Sequence, residues 1–263
     1  MFDINTAIGH WPFRQIPNQS ADALRAHLSR YGITRAAVVH THGIFYKNCH
    51  NANHELAGEI ASHRDFFVGL ATLNPGYAAW ERDLEACVEN LGFRGLRLVP
   101  QYHDYSLADA CAIDILKAAA SYNLPVFIPH RVVDVRQAHW MDTQTVTDPD
   151  AVLTLAQSVP EARIVFTEFP VNPDMITEEP GWSSCKSVCV ETSRFMSAYG
   201  QELSKVVKSL GARRVLFGTG SPFKEVTPAI LKIDSADFTD TERKMVIRDN
   251  AFALLVDSQT GES

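Results

Sequence analysis

Several reactive side chains stand directly at the ends of short apolar runs. Asn5 lies inside Phe2–Ile8, with His10 just beyond it, and Arg97 lies inside Gly95–Val99. His130 and Arg131 follow Pro125–Pro129. Glu168 comes two residues after Arg163–Phe166, and Glu191 follows Ser187–Val190. Gly218-Thr219-Gly220-Ser221 follows Arg214–Phe217. A polar group in such a place is costly to hold out of water unless it is used. The types suggest acid–base work on a small anionic or carbonyl substrate. Histidine moves protons near neutral pH, and a glutamate can activate water. Arginine grips a carboxylate with two parallel hydrogen bonds, and a glycine-rich turn can offer backbone N–H groups to an anion. The candidate catalytic residues are His130, Glu168 and Glu191. The candidate substrate-binding residues are Asn5, His10, Arg97, Arg131, Thr219 and Ser221. His40 and Gln101 occupy similar positions, whereas His42, His50 and His103 read more simply as loop or helix residues.

Other chemistries fit poorly. Gly-Thr-Gly-Ser-Pro lacks the Gly-x-Ser-x-Gly pattern of a nucleophile elbow. No Gly-x-Gly-x-x-Gly follows the first apolar run, and no phosphate-binding Gly-Lys-Ser/Thr loop is present. Cys185 and Cys189 have no partner pair to complete a zinc site. His50 and His54 are four residues apart without the His-Glu-x-x-His pattern.

The elements that would position these residues repeat one rhythm. Non-alternating apolar runs predict buried parallel strands at 2–8, 36–40, 66–71, 95–99, 125–129, 163–166, 187–190 and 214–217. Amphipathic stretches between them predict helices at 20–31, 52–62, 78–90, 107–122, 202–210 and 239–255, with another opening at Asp148-Pro149. Gly32 and Gly211 supply stops, and Thr239-Asp-Thr-Glu242 is a capping box. The stretch 167–181 reads as a long loop with at most one helical turn. Eight strand–helix units over this length predict an α/β fold, a closed (β/α)8 TIM barrel with its site in the loops after the strands. An open doubly wound sheet is the alternative. A single domain over residues 1–257 is expected, followed by a polar tail at 258–263.

The 263 residues are 46% hydrophobic and 21% charged, with a formal net charge of −7. That balance suits a globular protein and argues against a nucleic-acid partner, which needs a basic surface. No apolar run reaches the roughly 20 residues of a membrane span, and no signal peptide is read at the N-terminus. The five scattered cysteines suit free thiols in the cytoplasm, with Cys87 and Cys111 on core-facing helix faces. His139-Trp140-Met141 reads either as a lid or subunit contact or, equally, as a loop packed on its own barrel. Exposure of Trp11 and Phe13 would mark an interface, and a homodimer is the default expectation.

Taken in order, a series of segments resembles the amidohydrolase-related family, the barrel hydrolases and decarboxylases of the amidohydrolase superfamily. The segments are Phe2-Asp-Ile-Asn-Thr6, Asn53-His-Glu-Leu-Ala57, Phe66-Phe-Val-Gly-Leu-Ala-Thr-Leu-Asn-Pro75 and Gly92-Phe-Arg-Gly-Leu-Arg-Leu-Val-Pro100. Leu124-Pro-Val-Phe-Ile-Pro-His130, Val215-Leu-Phe-Gly-Thr-Gly-Ser-Pro222 and Asp249-Asn-Ala-Phe-Ala-Leu-Leu255 complete the series. Metal-bearing relatives carry His-x-His on the first strand, histidines after the fifth and sixth, and an aspartate after the eighth. The corresponding positions here are Asn5 and Ala7, His130, Glu168 or its neighbour, and Gly220. Only His130 is retained. The resemblance therefore implies a hydrolase or lyase working without the family's divalent metal. Were zinc or another divalent ion present, His130 and Glu168 would hold it. Two alternatives stand beside this reading: a metal-dependent hydrolase or decarboxylase with a rearranged site, and a non-catalytic barrel that binds a small molecule or a protein.

Overall fold

The apolar runs fold as parallel strands, and their burial explains why they do not alternate: one side faces the barrel interior and the other the helices. In the computed structural model, which describes residues 1–195 and 201–257, the segments are β1 (Phe2–Ile8), β2 (Arg35–His40), β3 (Phe67–Gly69), β4 (Ala71–Thr72), β5 (Leu96–Arg97), β6 (Val126–Pro129), β7 (Ile164–Thr167), β8 (Val188–Glu191) and β9 (Val215–Leu216). All neighbouring pairs are parallel. β3 and β4 are halves of one barrel strand. At Leu70 the chain still bonds Val38 O at 2.9 Å, and at Ala71 it bonds Gly95 O at 2.9 Å. The ring closes between β1 and the chain after β9. The Ile4 N–H donates to Phe217 O at 3.0 Å, Gly220 N–H to Asn5 O at 3.0 Å, and Ala7 N–H to Ser221 O at 2.9 Å. The fold is a (β/α)8 barrel, as expected.

Apolar side chains sort into three regions. Phe2, Ile4, Val68, Phe127, Val165 and Leu216 fill the barrel interior, with Leu254 and Leu255 of the last helix closing its lower end. A larger shell lies between strands and helices, including Leu24, Leu56, Leu84, Leu116 and Val206. Trp11, Ile16, Ile44, Val99, Val132 and Val133 form a separate apolar cluster over the upper end. Trp11 is buried there, contrary to an interface role, with its ring 4.9 Å from Phe223 and 5.1 Å from Phe45.

The helices follow their sequence signals with several departures. Ser20 caps Ala21–Ser29, and Asp148 accepts from Asp150 N–H ahead of Pro149–Ser158. The Thr239–Glu242 capping box is formed. The helix at Val226–Ser235 was not anticipated, because Pro228 interrupts its pattern near the start. The stretch expected to be loop carries two short helices, Pro173–Glu178 and Pro180–Ser184, each opened by a proline. The last helix contains one wider turn at Met245–Asp249 before it resumes at Asn250–Leu255. Cys87 is buried as expected, but Cys111 is only half-buried. No helix among the described residues is long and apolar enough to cross a membrane. The expected polar tail, 258–263, lies outside the described residues.

Candidate active site

The strand ends bring Asn5, Arg97, Glu168 and Glu191 to the upper end of the barrel, the face where barrels of this kind carry their sites. Glu168 is the hub. It follows β7 with φ +55°, a left-handed conformation that a residue with a side chain adopts only under constraint. Its Oε1 accepts from Asn5 Nδ2 at 2.7 Å and lies 3.2 Å from Ser193 Oγ. Its Oε2 accepts from Arg194 Nε at 2.7 Å and lies 2.8 Å from Lys224 Nζ. Of the roughly four lone-pair directions of a carboxylate, three are taken by these nitrogen donors. Burial opposes the charge on Glu168, but Lys224 and Arg194 outweigh it and hold the carboxyl below its ordinary range.

Glu191, the last residue of β8, is the counterpart. It accepts from the backbone N–H groups of Glu168 at 2.7 Å and Ser193 at 2.6 Å, and from Ser193 Oγ at 2.6 Å. Burial and the adjacent Glu168 charge push its carboxyl above the ordinary range. Two neighbouring carboxyls that share the Asn5 amide are thus driven apart in acidity. Arg194 also donates to Asp134 at 2.9 Å, and Lys232 donates to the carbonyls of Thr192 and Ser193 at 3.0 and 2.9 Å.

Above Glu168 is a narrow cavity of ≈ 10 Å³, room for about one water molecule. Asn5, Ala7, Arg97, Val132, Ser221 and Phe223 are among its walls. Arg97 is 7% exposed, and among the described residues its guanidinium closes no hydrogen bond or ion pair. The buried Ser221 hydroxyl is also without a partner. Outside this cavity is a cleft of ≈ 400 Å³, with Arg14, Arg136, Arg194, Lys224, Asp134 and Ser193 on its walls. Phe223 borders both spaces.

Of the remaining candidates, Thr219 borders the outer cleft and the others are not on its walls. His10 is exposed and borders only an outer surface hollow. Thr219 is spent on structure, with its N–H and hydroxyl both donating to the buried Asp3. His130 stands on the rim, Nδ1 being 2.9 Å from Thr147 O and the ring packed against Phe166 and Phe169. A carbonyl only accepts, so Nδ1 carries the proton and Nε2 is left as an acceptor. Burial and the nearby Arg131 charge lower its basicity. Arg131 is half-buried, with an unpartnered Nε. Ser193, Arg194, Lys224 and Asp134 were missed from sequence. Their signal was weak: each lies two to eight residues past a strand end, in stretches without motif character.

The metal-ligand positions can be tested on these contacts. Both Glu168 oxygens are already engaged by Asn5, Arg194 and Lys224, and a side chain at Gly220 would begin 2.6 Å from Glu168 Oε1. The space a ligand at residue 220 would need is filled by that carboxylate. The central residues therefore do not fit a divalent ion. His130 and Glu168 also belong to no cluster of three or more His, Cys, Asp or Glu donors among the described residues.

An amidohydrolase family profile matches residues 5–255, nearly the whole barrel, and the chain belongs to that family. Among solved structures, it is similar to 2,6-dihydroxybenzoate decarboxylase from Rhizobium, at TM-score 0.74 and 17% identity over 96% of this chain and 97% of that one. It is similar to 5-carboxyvanillate decarboxylase from Sphingomonas paucimobilis at TM-score 0.74 and 16% identity, covering 97% and 98%. A dihydroxybenzoic acid decarboxylase from a Polaromonas species, solved with manganese and 2-nitroresorcinol, matches at TM-score 0.73 and 16% identity, covering 98% of each chain.

Proposed function

We propose that this chain is an enzyme acting on a small carboxylate-bearing substrate, with its own arginines, lysine and glutamates as the working groups. Arg97 carries this reading. A buried guanidinium without a partner forfeits its hydrogen bonds. A substrate carboxylate or carbonyl oxygen would restore them, with the Ser221 hydroxyl as a further donor. The outer cleft is large enough for a small molecule, and its cations suit an anion.

Glu168 and Glu191 divide the proton handling, since neighbouring carboxyls of opposed acidity can serve as base and acid. Glu168 is quenched at rest by Lys224 and Arg194. A substrate anion entering the cleft draws these cations toward itself, frees a lone pair on Glu168 and raises its basicity toward water. Glu191, whose burial and Glu168 neighbour make it the weaker acid of the two, returns a proton to the leaving group. His130 Nε2 is a second acceptor at the rim. The reaction is hydrolysis of a bond beside a carbonyl, as in a lactone. Decarboxylation is the second reading. It is favoured by the decarboxylase neighbours, and Arg97 would then hold the carboxylate that departs as CO2.

Incubation with lactones and hydroxylated aromatic carboxylates, monitored separately for acid release and CO2 release, distinguishes the two. Arg97→Ala and Glu168→Gln are each expected to lower kcat/KM by about 100-fold, the scale of a charge-assisted contact or a positioned acid–base group. His130→Ala is expected to cost about 10-fold, a fraction of a general base's full worth. Full activity in all three variants would contradict the proposal, as would saturable binding without turnover.

A further inference from the structure

A second cluster, independent of the Glu168 network, sits where β2 leaves the barrel. His40 ends β2, His42 lies in the tight turn Thr41–Ile44, and Glu55 projects from the helix Cys49–Glu59. One donor atom from each lies within 4.8 Å of the other two. His42 Nδ1 is 2.7 Å from Glu55 Oε2, and His40 Nδ1 is 3.6 Å from the same oxygen. Donors at zinc bond lengths in a tetrahedral shell are spaced by about 3.3 Å, which these separations bracket.

We propose that His40, His42 and Glu55 form a divalent transition-metal site, best suited to zinc, outside the barrel centre. Two histidines and one carboxylate are a donor set that zinc favours, and they leave a fourth position for water. The surroundings resemble the support such ligands receive. His40 Nε2 is 3.3 Å from Glu59 Oε1, so its N–H is held by a carboxylate and its Nδ1 is left as the acceptor nitrogen, 3.6 Å from Glu55 Oε2. The Tyr46 hydroxyl donates to Glu55 Oε1 at 3.0 Å, which steadies the carboxylate while Oε2 faces the histidines. Gly9, at φ +95°, keeps the approach to His40 open, because a Cβ there would lie 2.9 Å from Nδ1. The His42 and Glu55 side chains are 28% and 39% exposed, so an ion can reach them from solvent. Binding would replace the present His42 N–H contact to His40 Nδ1 at 3.2 Å. It would also tie down the turn whose Thr41 and Ile44 border the inner cavity.

The test is zinc titration of the full chain after chelator stripping, against a chromophoric competitor, with Co2+ absorption as a geometric readout. One tight site per chain is expected, together with the strong visible bands of four-coordinate cobalt and a rise in Tm. His42→Ala and Glu55→Gln, both at partly exposed positions, should each weaken binding at least 100-fold. Glu59→Gln should weaken it about 10-fold, the low end of the effect of removing a carboxylate behind a ligating histidine. His50→Ala, which removes one ring of the separate His50–His54 pair on the same helix, should leave binding unchanged. No tight site in the wild type would overturn the proposal. So would binding retained in His42→Ala and Glu55→Gln, or binding lost only in His50→Ala.

Discussion

Arg97 and Asp3 show what burial does to single charges. Without a ligand, Arg97 is a buried cation lacking hydrogen bonds, so removing it should help folding. A charge held out of water without hydrogen bonds is costly, and an apolar side chain of similar volume removes that cost. Arg97→Met should therefore raise Tm while weakening substrate binding, an opposition that a purely structural arginine would not produce. Asp3 is fully buried beneath the turn after β9, and burial lifts its carboxyl to about 7 despite hydrogen bonds from Thr219 and Asn5. A raised acid contributes stability while protonated. That contribution is full below the unfolded value of 3.8 and is lost as pH rises through about 7. Asp3→Asn has no such loss, so urea denaturation should show the variant gaining on wild type between about pH 4 and about pH 8. A pH-independent difference would contradict this. Glu168 runs the other way, its contribution being present above its unfolded value and lost on acidification. At this scale the sequence was partly legible. That Asn5, Arg97, Glu168, Glu191 and Ser221 gather at one end of the barrel was readable because each lies within or just past an apolar run. Lys224 and Arg194 were not, because a lysine or arginine in a loop is ordinarily solvated and only the folded turns bring these two onto Glu168.

At the scale of elements, the turn after β9 decides what the barrel centre can hold. Gly220 has φ +73°, and any Cβ there would press on Glu168 and on Lys224 Cδ at 3.0 Å. Gly220→Ala should lower stability by about 1–3 kcal/mol from the backbone conformation alone. Gly220→Asp should do worse, since it sets a second carboxylate against Glu168, and chemical denaturation of the two variants would show the ranking. The same turn explains why the strand pattern was easy to read and the site was not. Buried parallel strands announce themselves as unbroken apolar runs, and Ser20, Asp148 and Thr239 announce helix starts through their caps. By contrast, the apolar lid over the upper end combines Trp11, Ile44, Val99 and Phe223 from four separate loops, with no periodicity that could link them. Its prediction is kinetic. Trp11→Ala should speed ligand entry, seen as a larger association rate in stopped flow, and an unchanged rate would mean that access does not pass this cluster.

For the molecule as a whole, an acidic chain concentrates cations at one end of its barrel. Arg14, Arg136, Arg194 and Lys224 line the cleft, and Arg97 lines the small cavity that shares Phe223 with it, although the net charge is −7. That separation suits capture of a small anion more than it suits a broad basic surface for a polymer. The central claim is that Arg97 receives a substrate carboxylate. Isothermal titration with 2,6-dihydroxybenzoate and with its carboxamide, on wild type and on Arg97→Met, measures it directly. The account predicts that the wild type binds the carboxylate at least 10-fold more tightly than the amide, and that Arg97→Met erases this preference while remaining folded. Equal affinity for the two compounds in wild type, or a preference that survives in Arg97→Met, would contradict it.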